Sequence, residues 1–289
     1  MKLYAICLVK NEDDVIGQTL AHAARYCDGI FVIDNGSTDG TWDIVRDLAA
    51  RDPRIVAFAR TLEPYDDALR WPPYEEYHGR LSDDDWWLIL DGDEFLAEDP
   101  RPVIAEASRE PAEVINAWQI QFYYTEKDHA AWLAGEDTRD RPIFERRRHY
   151  RIDWQEPRLF RNRREGTWED AYLRRKLPAP RGEDGQEGPV RVGRIARRKI
   201  LNRHFQYRDP EQIEKRLRLR YGHAKFAAQV DSTDWRTKMR SSRHLHCHRP
   251  GERWHFSASG LTYYYSSWMR YVLKSRVQRA QRRFAEVIG

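Results

Sequence analysis

The sequence predicts an α/β protein: a mostly parallel, Rossmann-like mixed sheet with helices on both faces, followed by a basic, largely helical extension. Three observations point there. Short continuous apolar runs alternate with stretches of helical periodicity through the first hundred residues, the pattern of strands covered on both faces. Each of three strands ends in a cluster of polar and acidic residues. Finally, charge divides along the chain, with an acidic front and a basic end.

Taken in order, "LYAICLV" (3–9) is a buried strand. "VIGQTLAHAARYC" (15–27) then places Val15/Ile16, Thr19/Leu20, Ala23/Ala24 and Cys27 at helical spacing. "GIFVID" (29–34) is a second strand, stopped by "NGSTDG", and Thr38 or Asp39 can cap the helix "TWDIVRDLAAR" (41–51). "IVAFAR" (55–60) and "WWLIL" (86–90) read as the third and fourth strands. Strand–helix alternation implies parallel βαβ units, whose ligands collect beyond the carboxyl ends of the strands. "VINAWQIQFYY" (114–124) reads as another strand, and "RPIFERRRHYRIDWQEPRLFRN" (141–162) as short strands around a groove. Residues 178–190, rich in Pro, Gly and charge, read as a mobile loop. Residues 210–229 and 261–288 have helical periodicity. The organisation predicted is a catalytic domain over 1–190, with ligand binding mainly in 1–100 and an acceptor side in 101–190, and the extension over 191–289.

A chain of 289 residues, 40% hydrophobic and 33% charged with 11 Trp and 15 Tyr, folds around a substantial core and is not disordered. No apolar run approaches the roughly 20 residues of a membrane span, and the N-terminus does not read as a signal peptide. Three widely spaced cysteines fit reduced thiols, and a cytoplasmic protein is expected. Residues 191–289 hold 24 Lys/Arg against 7 Asp/Glu, a balance of +17, while the rest carries −13. The basic end suits an anionic neighbour or a solvated helical surface.

The acidic cluster "DGDEF" after the fourth strand crowds Asp91, Asp93 and Glu94 into four positions. Like charges that close need a compensating partner, and a divalent cation is the simplest one. With "KNEDD" after strand one and "DNGSTDG" after strand two, three polar loops converge on one sheet edge.

The pair "VIDNGSTDGT" (32–41) and "LILDGDEF" (88–95) resembles family 2 inverting glycosyltransferases of the GT-A fold. The first stretch is close to that family's "VVDDGSTDGT", and the second holds its Asp-x-Asp motif. "PRLFRN" (157–162) and "LNRHFQYRDPEQ" (201–212) resemble subfamilies that modify bacterial lipopolysaccharide or capsule. The resemblance implies transfer of a sugar from a nucleotide diphosphate donor, UDP-sugar on family grounds, to a hydroxyl of a glycan or glycolipid. A carboxylate-held Mn²⁺ or Mg²⁺ would act as Lewis acid on the diphosphate. By the family pattern Asp93 holds the metal and Asp91 contacts ribose or metal, while Glu94 supports the site or the acceptor side. Asp34 and Asn35 fall where the nucleobase and ribose are read, and Asn11 and Glu12 border the nucleotide pocket. His204 lies where some GT-A enzymes bring a histidine to the metal, and Arg158 can reach the diphosphate, as can Arg161. For the base that takes the acceptor proton, "WEDAYLRRKL" offers Asp170, with Glu169 its neighbour; Asp153 and Glu156 stay open as alternatives.

Two rivals are weighed. A sugar nucleotidyltransferase needs a glycine- and arginine-rich loop after strand one, and "KNEDD" is the opposite. A nucleic-acid-binding protein could use the basic end, but the acidic front repels that ligand, so no nucleic acid is expected. His244, His246 and His248 share one face if extended, as zinc would accept, yet no second ligand cluster accompanies them. The aromatic and arginine-rich segment 261–288 suits either an anionic membrane surface, at the inner face, or packing on the catalytic domain.

Overall fold

The structure is a computed structural model and describes residues 1–110, 112–165, 195–222, 226 and 230–257. Asp170, Glu169, the loop 178–190 and the segment 261–288 lie outside the described residues.

The sheet runs β3-β2-β1-β4-β7-β6-β8-β5. Its parallel half comprises β1 (Leu3–Val9), β2 (Gly29–Asp34), β3 (Ile55–Arg60) and β4 (Trp86–Asp91). These are the four expected strands, and the first three match residue for residue. Alternate residues of β1 divide between two cores. Leu3, Ala5, Cys7 and Val9 face α1 (Ile16–Ala23), α2 (Thr41–Arg51) and α4 (Pro100–Arg109). Ile6 and Leu8 face α3 (Trp71–Tyr77) with Tyr74, Trp87 and Phe160. With both faces covered, strands survive as unbroken apolar runs. In α1, Ile16, Thr19, Leu20 and Ala23 are the buried stripe.

The other half is antiparallel around β7 (His149–Arg161), which pairs with β4, with β6 (Val114–Phe122) and with β9 (His246–Cys247). Instead of several short strands, residues 141–162 form a short helix, α6 (Ile143–Arg146), and this one 13-residue strand. The register of β7 shifts twice against β6, opposite Ile115/Asn116 and Gln119/Ile120. Such bulges hide a strand's period-2 signal and re-aim its side chains. β8 (Ile200–His204) lies between β6 and β5 (Glu94–Leu96), so residues beyond 190 contribute two strands to the sheet, β8 and β9, as well as the helix α7 (Pro210–Arg220). α5 (Glu126–Leu133) opens on a capping box of Thr125 and Asp128. The whole is the α/β mixed sheet expected of the GT-A class. Among the described residues no helix is long and apolar enough to cross a membrane.

Candidate active site

β1, β2, β4, β6 and β8 all point their carboxyl ends the same way, and there a cavity of about 730 Å³ opens. Lys10, Asn11 and Glu12 follow β1, Asn35 follows β2, and Asp91, Gly92 and Asp93 close β4. Gln121 and Phe122 end β6, and His204 ends β8. From β7 come Trp154 and Glu156, between its two bulges, and Arg158, the extra residue of one of them. α7 supplies the remaining wall with Gln212, Lys215, Arg216, Leu219 and Arg220, one complete helical face at i, i+3, i+4, i+7 and i+8.

Local geometry explains each loop. Asn11 sits at φ +55°, where asparagine is among the few residues tolerated, and its Oδ1 accepts from Thr38 N at 2.7 Å. Gly36 is at φ +72°, and a Cβ there would also meet Leu62 at 2.8 Å. A Cβ on Gly92 would meet Val9 at 2.9 Å and Glu12 at 3.2 Å, so only glycine lets the two aspartates flank that turn. Thr41 N and Oγ1 donate to Asp39 Oδ1, so Asp39 steadies the start of α2 as expected.

The crowded carboxylates are compensated first by the chain's own cations. Arg70, 2% exposed, donates to Asp91 at 2.5 Å and to Asp67 at 2.9 Å. Arg158 reaches Asp91 at 3.2 Å and both Glu94 and Glu156 at 2.5 Å. Asp93 faces His204 Nε2 at 3.4 Å, Arg216 at 3.2 Å and Arg208 at 3.6 Å. Arg208, fully buried, also binds Asp14 through two nitrogens and Glu12. Burial opposes ionisation of Asp93, but His204, Arg216 and Arg208 outweigh it and hold its carboxyl well below the usual range. Burial pushes Glu12 up to about 7 against Arg208 and Arg216, and Glu94 up to about 7 against Arg158. The His204 imidazole would fall on burial alone, yet Asp93 raises it above its ordinary value.

Among the described residues no three His, Cys, Asp or Glu side chains gather as a ready-made metal site. Two do face one another suitably. Ligands each about 2.1 Å from one ion stand roughly 3.0–3.4 Å apart, and Asp93 Oδ1 and His204 Nε2 are 3.4 Å apart. Gln121 Nε2 stands 2.8 Å from the other ring nitrogen, Nδ1; with its amide turned so that the carbonyl oxygen accepts from Nδ1, it would be the outer contact that orients a ligating imidazole. Asp91, also expected as a metal ligand, has its carboxylate turned to Arg70 and Arg158.

The other expected residues fall as follows. Asn35 donates from Nδ2 to Glu63 O at 2.7 Å, and its buried Oδ1 has no hydrogen-bond partner among the described residues. Asp34 is buried behind the cavity wall, accepting from Ser37 N at 2.9 Å beside Arg60 at 3.2 Å. Of the alternative bases, Glu156 lines the cavity, whereas Asp153 binds Ser257 and Arg151 outside the lining. Arg161 pairs with Asp84 away from the cavity. His244 and His246 fall in a 3-10 turn and in β9, while His248 stacks on Trp254 at 3.9 Å. Sequence reasoning missed Arg70, Arg208, Gln121 and the α7 face. For α7 a signal existed: its polar residues recur at helical spacing on one side.

Residues 4–61, about a fifth of the chain, match the family described as Glycosyl transferase family 2. No curated protein matches. Among solved structures, one similar chain is a mannosyltransferase from Pyrobaculum calidifontis in complex with GDP-Man and Mn²⁺ (17% identity, TM-score 0.32, 48% of each chain covered). A second is a putative glucose-1-phosphate thymidylyltransferase from Bacillus anthracis (15% identity, TM-score 0.29, 44% of this chain and 56% of that one). A third is a mycobacterial protein (14% identity, TM-score 0.31, 71% of this chain and 65% of that one). The alignment thus spans about half the length of the first two. At such TM-scores the fold reading rests on the strand order itself.

Proposed function

We propose that the chain is a metal-dependent inverting glycosyltransferase that moves a sugar from a nucleotide diphosphate donor to a hydroxyl of a glycan or glycolipid. The observation that carries this reading is that Asn35, Asp91, Asp93, Arg158 and His204, widely separated in sequence, line one cavity at the carboxyl edge of the sheet. The family match over residues 4–61, which brings Asn11, Glu12, Asp34 and Asn35 with it, supports the nucleotide end.

Asn35, whose buried Oδ1 has no partner among the described residues, is suited to accept from the nucleoside. Asp34 fixes the turn beneath it through Ser37 N. Asp93 and His204 would hold a Mn²⁺ or Mg²⁺, which supplies Lewis-acid stabilisation of the departing diphosphate when bound. Glu156, the alternative to Asp170 that lines the cavity, would act as base. Its Oε1 accepts from Arg158 at 2.5 Å and Gln119 at 2.7 Å, so the carboxylate is fixed in orientation and Oε2, without a partner among the described residues, would receive the acceptor proton. As the acceptor oxygen bonds to the anomeric carbon, the bond to the diphosphate breaks on the opposite face. Trp154, 37% exposed on the same strand, offers a ring face on which an acceptor sugar can stack.

The test is thermal melting with UDP, GDP, CDP and dTDP, each with Mn²⁺, Mg²⁺ or EDTA. One nucleotide at a hundredfold excess over its Kd should stabilise by about 2.7 kcal/mol, and EDTA or Asp93→Asn should abolish the shift. No shift with any pair refutes the reading. Donor turnover then separates the bases: Glu156→Gln should stop transfer, and if Asp170→Asn stops it instead, the base is Asp170.

A further inference from the structure

Six Lys and Arg side chains among the described residues line the cavity, and four are matched to carboxylates. Arg70 and Arg158 hold Asp91, Lys215 holds Asp39 at 2.9 Å, and Arg216 holds Glu12 and Asp93. The other two, Lys10 and Arg220, have no carboxylate within ion-pair distance among the described residues. Lys10 is exposed, so water serves it.

Arg220 is different. It closes α7, one turn beyond Arg216, and is largely withdrawn from water with its guanidinium carbon 4.6 Å over the ring of Phe226. Burial brings its guanidinium down to about 10, which leaves it cationic at neutral pH. A cation largely withdrawn from water, with an aromatic face on one side and no carboxylate at ion-pair distance among the described residues, is poorly compensated, since Asp93 and Glu12 act on it only from farther off. Its outlying exposure is to the cavity, where Glu12, Asp91, Asp93 and Glu156 are already committed to other cations and Glu63 is exposed to water. A planar guanidinium fork pairs bidentately with phosphate oxygens. Lys10 reaches the same cavity from the end of β1, so two cations without a carboxylate partner among the described residues arrive from different elements, an arrangement that suits a ligand with charge on two phosphates.

We propose that Arg220 is a diphosphate-binding residue, gripping the donor, and the nucleoside diphosphate it leaves, from the α7 wall. The assignment of that diphosphate to a nucleotide-sugar rests on the function proposed above. Arg220 is a binding residue here, and the bond that breaks lies beyond it.

The experiment is calorimetric titration of inorganic pyrophosphate, UDP and GDP, in Mn²⁺, into the full chain and three variants. Arg220→Gln removes the charge, Arg220→Lys keeps it without the fork, and Arg218→Gln removes an equal charge from the outer face of α7, where Arg218 pairs with Glu214. Pyrophosphate affinity should fall about 10- to 100-fold in Arg220→Gln, less in Arg220→Lys, and by under about twofold in Arg218→Gln. Circular dichroism melts of all three keep a folding defect apart from a binding one. The proposal is overturned if folded Arg220→Gln binds pyrophosphate as Arg218→Gln does, or if the parent chain binds none. UDP or GDP bound equally by parent and Arg220→Gln would sink the residue assignment and leave the donor reading standing. Pyrophosphate binding lost with Arg220, but neither nucleotide nor any other nucleoside diphosphate bound, would support the diphosphate contact and refute the donor reading.

Discussion

Arg208→Met tests whether the acidic edge is held together from within. Arg208 is 0% exposed and donates to Asp14 at 2.7 and 2.8 Å, to Glu12, and to Phe205 O at 2.9 Å, with Asp93 at 3.6 Å. Methionine fills the space of the stem but leaves Glu12 to Arg216, Asp93 to Arg216 and His204, and Asp14 with no ion pair among the described residues. Removing one partner of a buried ionic cluster costs about 3–5 kcal/mol, because the charges left behind stay desolvated. At about 2–4 °C per kcal/mol for a chain of this size class, the melting temperature should drop by roughly 6–20 °C. Burial already raises Glu12 to about 7, above its unfolded range near 4.3. A carboxyl raised on folding contributes stability below its unfolded pKa and loses it as pH rises through the folded value. Without Arg208 that rise is larger, so the deficit should grow between pH 5 and pH 8. Urea unfolding followed by tryptophan fluorescence at both pH values measures it. A loss below about 1 kcal/mol, or one independent of pH, would refute the reasoning.

Further outcomes follow from neighbouring contacts. Gly92→Ala forces a methyl against Val9 and Glu12 and should cost about 1–3 kcal/mol while weakening nucleotide binding, read together by melting with and without ligand. Thr19→Val removes the 2.7 Å bond to Gly92 O and should lower stability by about 1–2 kcal/mol in urea titration, leaving that buried carbonyl unsatisfied. Asp209, despite burial, is held below the usual range by Arg139, Gln212 N and Arg146. Its stabilisation is therefore present above the unfolded carboxyl pKa and lost as pH falls through the folded one. Asp209→Asn should be less stable by about 3 kcal/mol at pH 7, and the gap should close below about pH 4; a constant gap down to pH 2 would contradict the assignment.

The parallel half of the fold was legible because β1, β2, β3 and α2 obey simple periods: strands buried on both faces stay apolar throughout, and helices show a single stripe. β7 was not, since two bulges break its alternation and Arg151, Arg158 and Arg161 interrupt its apolar residues. The position of β8 was illegible for another reason. Nothing local to "ILNRH" says that it inserts between β6 and β5 rather than lying outside the sheet. At the site, Asp91 and Asp93 stand out because carboxylates rarely crowd a strand end; a divalent cation was the partner expected, and the fold supplies arginines first. Which cation was harder: Arg208 and Arg216 are two among 50 basic residues, and only the fold brings them to Glu12 and Asp93.

The insertion of β8 also sets an order of assembly. Its His204 sits opposite Glu94 in register, and the ties that neutralise the acidic edge span 194 residues from Arg208 to Asp14 and 204 from Arg216 to Glu12. Contacts of that sequence separation are slow to close. During synthesis the first hundred residues can bring β1 to β4 together and give Asp91 its Arg70, but Glu12, Asp14 and Asp93 must wait for the chain to extend past residue 216. A ribosome-bound chain shorter than that presents an incompletely neutralised acidic rim, open to free cations. Maturation of the site is thus timed by the last third of the chain to emerge.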